Sequence, residues 1–166
     1  MRPLTRLATS AAAVALATTM GAPLAAADGS PTMTGAPMPF SPILKRCDFT
    51  NDMHVPGAGT GGGTATFTRT GSTLIADVHL IVAHPDAPYN VRVIESPRSA
   101  ANTCYPGDPG VGGGVINTDD GGNGDVTIQA DVMPGATGAW VLLEGPPGNS
   151  PILNGDFYTS DAITKI

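Results

Sequence analysis

The run Asp125-Val-Thr-Ile-Gln-Ala-Asp-Val132 alternates polar and apolar residues without exception, and no other pattern in the chain constrains its fold as tightly. Side chains two apart share one face of a strand, so Val126, Ile128, Ala130 and Val132 need a core while Asp125, Thr127, Gln129 and Asp131 need water. A helix would scatter both sets around its circumference. Residues 74–82 repeat the pattern, with Leu74, Ala76, Val78, Leu80 and Val82 on one face and Ile75, Asp77, His79 and Ile81 on the other. In 89–95, Tyr89, Val91 and Val93 point inward. Shorter strands are expected over 64–69, 115–118, 139–144 and 157–160, the third apolar on both faces as a central strand is, the last at a sheet edge. Gly, Pro, Asn and Asp separate them, and no segment after residue 27 keeps a helical period. About seven short strands of this kind predict an all-β fold, an antiparallel immunoglobulin-like β-sandwich.

The N-terminus carries an address. Arg2 and Arg6 precede an apolar run over 7–20, Pro23 breaks it, and Ala25-Ala26-Ala27 supplies an A-x-A exit, the layout of a secretory signal peptide cut before Asp28. No cysteine follows the cut directly, which argues against a lipid anchor. Three parts are expected: signal peptide 1–27, a flexible Pro/Ser/Thr-rich arm 28–45, and the β-sandwich domain 46–166. Removing 27 of the 166 residues leaves 139, room for one domain with one core. The expected location is secreted or cell-envelope, with no membrane span after cleavage. Six of the eight basic residues and all fourteen acidic ones lie after Ala27, a formal charge of −8. Only Lys45 and Arg46 are adjacent, so the clustered cations that nucleic acid requires are missing.

Cys47 and Cys104 are the only cysteines, and an even count in an exported chain reads as one disulfide. The bridge would staple the N-terminal arm to the loop between Glu95 and Val115 and restrict the unfolded chain by about 4 kcal/mol. Trp140 lies well after Cys104, not between the cysteines, so the likeness to an immunoglobulin domain is one of architecture only.

Taken together, Tyr89-Asn-Val-Arg-Val-Ile94 with a cysteine soon after, Ile116-Asn-Thr-Asp-Asp-Gly-Gly-Asn-Gly-Asp-Val-Thr127, Thr137-Gly-Ala-Trp-Val141 and Asp156-Phe-Tyr-Thr159 resemble small exported actinobacterial proteins of uncharacterised role. The resemblance covers most of residues 64–160. Its motifs are strand and hairpin signals, and it implies no catalytic residue.

Several residues invite a chemical reading. Gly57-Ala-Gly-Thr-Gly-Gly62 matches G-x-G-x-x-G but precedes a strand, where a dinucleotide site would follow one and open a helix; it reads as a flexible stretch, as does Gly110-Val-Gly-Gly-Gly114, and no cofactor is expected. Asp119, Asp120, Asn123 and Asp125 gather hard oxygen ligands suited to Ca²⁺, although Gly-Gly and Asn-Gly between alternating runs also make a plain acidic turn. Asp77 and His79 share a strand face, where a carboxylate can orient an imidazole, while His84 would point to the opposite face unless a bulge near Ala83 brought the two histidines together; Met33, Met38 and Met53-His54 carry copper-type ligands. No nucleophile elbow or metalloprotease motif is present, and Glu95 and Glu144 are the only glutamates for a carboxylate pair. Ile75, Ile81 and Ile94 are expected to face outward and form an apolar patch, unless the arm covers it. The expected function is an exported, non-enzymatic structural or interaction module with a protein or cell-envelope partner. A metal-binding secreted protein, using Ca²⁺ or a transition metal, is the alternative, and a small secreted hydrolase the second.

Overall fold

The computed structural model describes residues 32–52, 59–146 and 155–166, so the signal peptide, the first residues of the arm, and Met53-His54 lie outside the described residues. Ten strands and no helix make up these residues: β1 (Thr32–Thr34), β2 (Met38–Ser41), β3 (Gly62–Thr70), β4 (Thr73–Ile81), β5 (Pro88–Ser96), β6 (Val111–Asn117), β7 (Gly124–Asp131), β8 (Gly138–Glu144), β9 (Phe157–Ser160) and β10 (Thr164–Lys165). The chain is all-β and every pairing is antiparallel.

The alternation of the best strands is realised almost residue for residue. Leu74, Ala76, Val78 and Leu80 of β4 are buried, as are Tyr89, Val91 and Val93 of β5 and Ile128 of β7. Val82 departs from the pattern, because β4 ends at Ile81 and Val82 bends away with φ = 53° and 62% exposure. Between β3 and β4, Gly71 takes φ = 58°, the left-handed geometry that a two-residue hairpin loop demands and only glycine adopts freely.

Eight strands run in the order β6-β5-β8-β9-β2-β3-β4-β7, with β1 added beside β3 and β10 beside β8. The two end strands pack against each other without a hydrogen-bonded ladder, so the sheet rolls into a nearly closed barrel. The structure shows this rolled sheet, not two clearly separate immunoglobulin sheets. Gly112 and Gly114 of β6 make the closure possible: a Cβ on either would stand 2.9 or 3.0 Å from the Ile128 side chain of β7. The Gly110–Gly114 stretch, expected to be flexible, is therefore mostly strand, its bare backbone letting β7 approach.

The arm also departs from expectation. Residues 32–45 are not a loose tether: β2 pairs through Met38 and Pro39 with β3, and through Phe40 and Ser41 with β9, joining the two halves of the sheet. This also places β9 in the interior of the sheet, between β8 and β2, and not at an edge. Strands of two to four residues are too short to print an alternation, which is why ten strands are found where about seven were expected.

Inside the roll lies one core, with Phe67, Leu74, Tyr89, Ile116, Leu143 and Tyr158 among its buried members. At one end, Tyr89 Oη donates to Asp156 Oδ2 (2.9 Å) and accepts from the His84 amide (3.0 Å), while Tyr158 Oη accepts from the Gly61 amide (3.1 Å). Two phenols so anchor three connecting segments, and burial raises both phenol pKa values above their usual range.

A second cluster sits on the outside of the sheet. Ile94, Trp140 and Leu142 are buried there under Leu44, Cys47 and Phe49, with Cys104 and Val111 alongside. The Cys47–Cys104 disulfide, with Cα atoms 5.6 Å apart, ties the turn at 44–52 to the β5–β6 loop, the pairing expected from the even cysteine count. Phe49 accepts a left-handed backbone (φ = 70°), and its ring meets Trp140 edge-on at 5.3 Å between centroids. Opening the disulfide should lower the unfolding free energy by about 4 kcal/mol and shift the emission of Trp140, the only tryptophan, to the red as its cover loosens. Denaturant unfolding followed by fluorescence, with and without dithiothreitol, checks this; coincident curves would mean that apolar packing alone holds the cover.

Candidate functional site

The outer face of β3, β4 and β7 is where the sequence's chemical candidates converge. Outward positions alternate with the buried ones, so β3 presents Thr64, Thr66, Thr68 and Thr70, β4 presents Ile75, Asp77, His79 and Ile81, and β7 presents Asp125, Thr127, Gln129 and Asp131. Register sets the neighbours. His79 stands between Thr64 and Asp125, and Asp77 between Thr66 and Thr127. Thr127 Oγ1 donates to Asp77 Oδ1 at 2.6 Å, and His79 Nδ1 lies 3.5 Å from Asp125 Oδ1, an ion pair when the imidazole is protonated. A shallow depression of about 510 Å³ runs between Thr66, Asp77, His79, Asp125 and Thr127, and holds no serine or cysteine.

The acidic turn sits at the end of this groove. Asp119 Oδ1 accepts from the amides of Gly121 (3.0 Å) and Asn123 (2.7 Å) and from Asn123 Nδ2 (3.3 Å). Asn123 Oδ1 accepts from the Val82 amide (3.2 Å), and the Gly122 carbonyl from that of Ala83 (3.0 Å). Asp119 Oδ1 and Asn123 Oδ1, two of the oxygens that the spacing offered to Ca²⁺, are thus engaged in folding the turn and pinning the segment after β4. Asp120 is exposed, and Asp125 turns to His79. Among the described residues, no three His, Cys, Asp or Glu side chains assemble a metal-binding group. His84 lies apart from His79, its Nδ1 against the Pro85 carbonyl (2.9 Å). Met33 is exposed on β1 and Met38 half-buried on β2.

The three isoleucines do not form one patch. Ile75 and Ile81 share the outer row of β4, with Ile81 51% exposed. Ile94 faces outward from the other half of the sheet, on β5, and is fully buried beneath Phe49 and Leu44. The patch expected from these residues is corrected accordingly: β4 and β5 are not neighbours, and the disulfide-held turn covers Ile94.

The two glutamates are also kept apart. Glu144 lies opposite Asn90 and Glu95 opposite Ala139, which separates them by about 17 Å along β5. Glu144 pairs with Arg92, which also stacks on Tyr105, its guanidinium 5.0 Å from the ring centroid. Glu95 is 1% exposed at the end of the barrel, where Oε2 accepts from the Met133 amide (2.7 Å) and Oε1 has no partner among the described residues. Burial raises its pKa, against the opposing pull of the Met133 amide, Arg69 and Arg98. Glu95 continues the inward series Tyr89, Val91, Val93, so the alternation itself was the signal for its burial.

Comparison with protein-family models, with curated proteins and with solved structures finds no match.

Two titrations test these assignments. Hydrogen bonds hold the Asp119 carboxyl below its ordinary value of 3.8. A depressed folded-state pKa stabilises above the unfolded value and is lost as pH falls through the folded one. Asp119→Ala should therefore unfold at a lower temperature than the native chain at pH 7, and the gap should close below pH 3.8. Glu95 has the opposite sign: its raised pKa favours the folded state below the ordinary 4.5, and that contribution is lost as pH rises through the folded value. Glu95→Gln keeps an acceptor for the Met133 amide without the charge, so its melting temperature should exceed the native one at pH 8 and converge with it in acid. Thermal scans across pH read both.

Proposed function

We propose that this protein is an exported, non-catalytic binding module that contacts a basic protein or cell-envelope partner through the outer face of β3, β4 and β7. One observation carries the reading: β4 sets Ile75 and Ile81 on either side of Asp77 and His79, on a face whose outward positions hold no lysine or arginine. The opposite half of the sheet has its outer face covered by the disulfide-held turn, whereas among the described residues no such turn covers this one. Isoleucines supply apolar anchors, and Asp77, Asp125 and Asp131 supply a negative field that steers and orients a cationic partner. Threonine hydroxyls between them offer hydrogen bonds at the spacing of strands and pleats.

Export rests on the N-terminal pattern of Arg2, Arg6, the apolar run and Ala25-Ala26-Ala27, and a disulfide is compatible with an oxidising compartment. The resemblance of residues 64–160 to small exported actinobacterial proteins belongs to the same reading.

The test is a titration of the ¹⁵N-labelled protein with a decapeptide of alternating lysine and leucine. Amide shifts should concentrate on β3, β4 and β7 and shrink in high salt. The double substitution Asp77→Asn, Asp125→Asn should weaken binding by about three- to tenfold. Shifts on other strands only, or unchanged affinity in the double variant, would overturn the proposal.

A further inference from the structure

At the end of the barrel opposite the tyrosines, two cations line one open cavity that the proposed binding face does not include. Of the six basic residues after the signal sequence, Arg46 pairs with Asp52 at 3.9 Å and Arg92 with Glu144. Lys45 lies over the Phe49 ring and donates to Asn51, and Arg69 Nε donates to the Gly71 carbonyl. Arg98 and Lys165 remain. Both line a cavity of about 360 Å³ that runs between the start of the β5–β6 loop and the C-terminal strand, with Ser96, Thr137, Pro97 and Ile163 as further walls.

Arg98 is held as a binding group is held. Its Nη1 donates to the Thr103 carbonyl (2.6 Å) and its Nη2 to the Pro109 carbonyl. Those carbonyls orient the guanidinium without neutralising its charge; among the described residues no carboxylate comes within 4 Å of it, and Nε is buried with no acceptor. Glu95 and Asp108 feel its field from further away. Among the described residues, the Lys165 ammonium makes no hydrogen bond or ion pair. Asp48 also borders the cavity as an ionised carboxylate, its Oδ1 accepting from the Thr50 hydroxyl (2.7 Å) and amide (3.1 Å), which lower its pKa, so the lining carries two positive charges against one negative. Two positive groups without carboxylate partners, at one cavity of a molecule with an excess of acids, therefore confront space large enough for a small molecule.

We infer that this cavity binds a small organic oxyanion, a carboxylate or a phosphate ester, with its charged group between Arg98 and Lys165, hydrogen bonds from Ser96 and Thr137, and its apolar part against Pro97 and Ile163. Arg98 supplies a fixed positive charge, its guanidinium oriented by the Thr103 and Pro109 carbonyls, and Lys165 a mobile point charge. The net negative charge of the surrounding surface keeps such binding weak and selective, since only an anion that engages both cations offsets that field.

The test uses the ¹⁵N-labelled protein with its disulfide formed, titrated separately with inorganic phosphate, phenyl phosphate and benzoate. Saturable shifts are expected at the Ser96, Thr137 and Lys165 amides and at the Arg98 Nε–H signal, with a Kd on the order of 1 mM for the preferred organic anion. Phenyl phosphate bound more tightly than benzoate assigns a phosphate ester, and the reverse a carboxylate. Lys165→Gln removes a charge that no other group uses, so the fold is kept, and it should weaken binding by about fivefold. No saturable shift at these positions with any of the three anions, or an unchanged Kd in Lys165→Gln, overturns the inference.

Discussion

Everything outward of the core depends on where β2 is placed. A backbone strand carries donors and acceptors on both edges, and leaving them unpaired inside a protein is costly. Without β2, the strand β9 would end one half of the sheet and the leading part of β3 would end the other. Four residues, Met38 to Ser41, close that seam by bonding β3 with one half of their length and β9 with the other. The join turns two ladders into a single rolled sheet whose far ends, β6 and β7, then meet across the glycines at 112 and 114.

Rolling the sheet gives it one inside and two different outsides. Over β5 and β8, apolar outward residues such as Ile94 and Trp140 cannot face water, and the turn at 44–52 covers them with Phe49 and Leu44. The disulfide keeps that turn in place, so its main structural task is to shield a sheet face, with the principal core already enclosed on the other side. Over β3, β4 and β7 the outward residues are threonines and aspartates with two isoleucines, and they need no cover. This asymmetry supports the assignment of the open face to partner binding.

Charge is distributed with the same asymmetry. The open face holds carboxylates and one imidazole, whereas Arg98 and Lys165 line one cavity at the barrel end. Asp119, whose oxygens looked available to a cation, spends its best acceptor on three N–H donors of its own turn. Carboxylates close in sequence are thus poor guides to metal binding until their hydrogen bonds are known, because a turn rich in glycine presents backbone donors that compete for the same oxygens.

Strand alternation is a local property, and the sequence alone was sufficient for the β class, the inward faces of β4 and β5 and the cysteine pairing. It was silent on β1, β2 and β10, which are too short for a period to show, and it misread 110–114 because a glycine needed for close packing looks the same as a glycine needed for freedom. The candidate site was legible in pieces: Asp77 with His79, and Asp119 to Asp125, were visible separately, while their meeting along one groove required the pairing of β4 with β7. The covering of Ile94, the separation of Glu95 from Glu144 and the placing of Arg98 and Lys165 around one cavity were decided by the tertiary structure, since each depends on contacts between segments distant in the chain. Periodicity tells each strand which side to bury; only the closed sheet decides which outward sides are left for water, for a turn of the chain, or for a ligand.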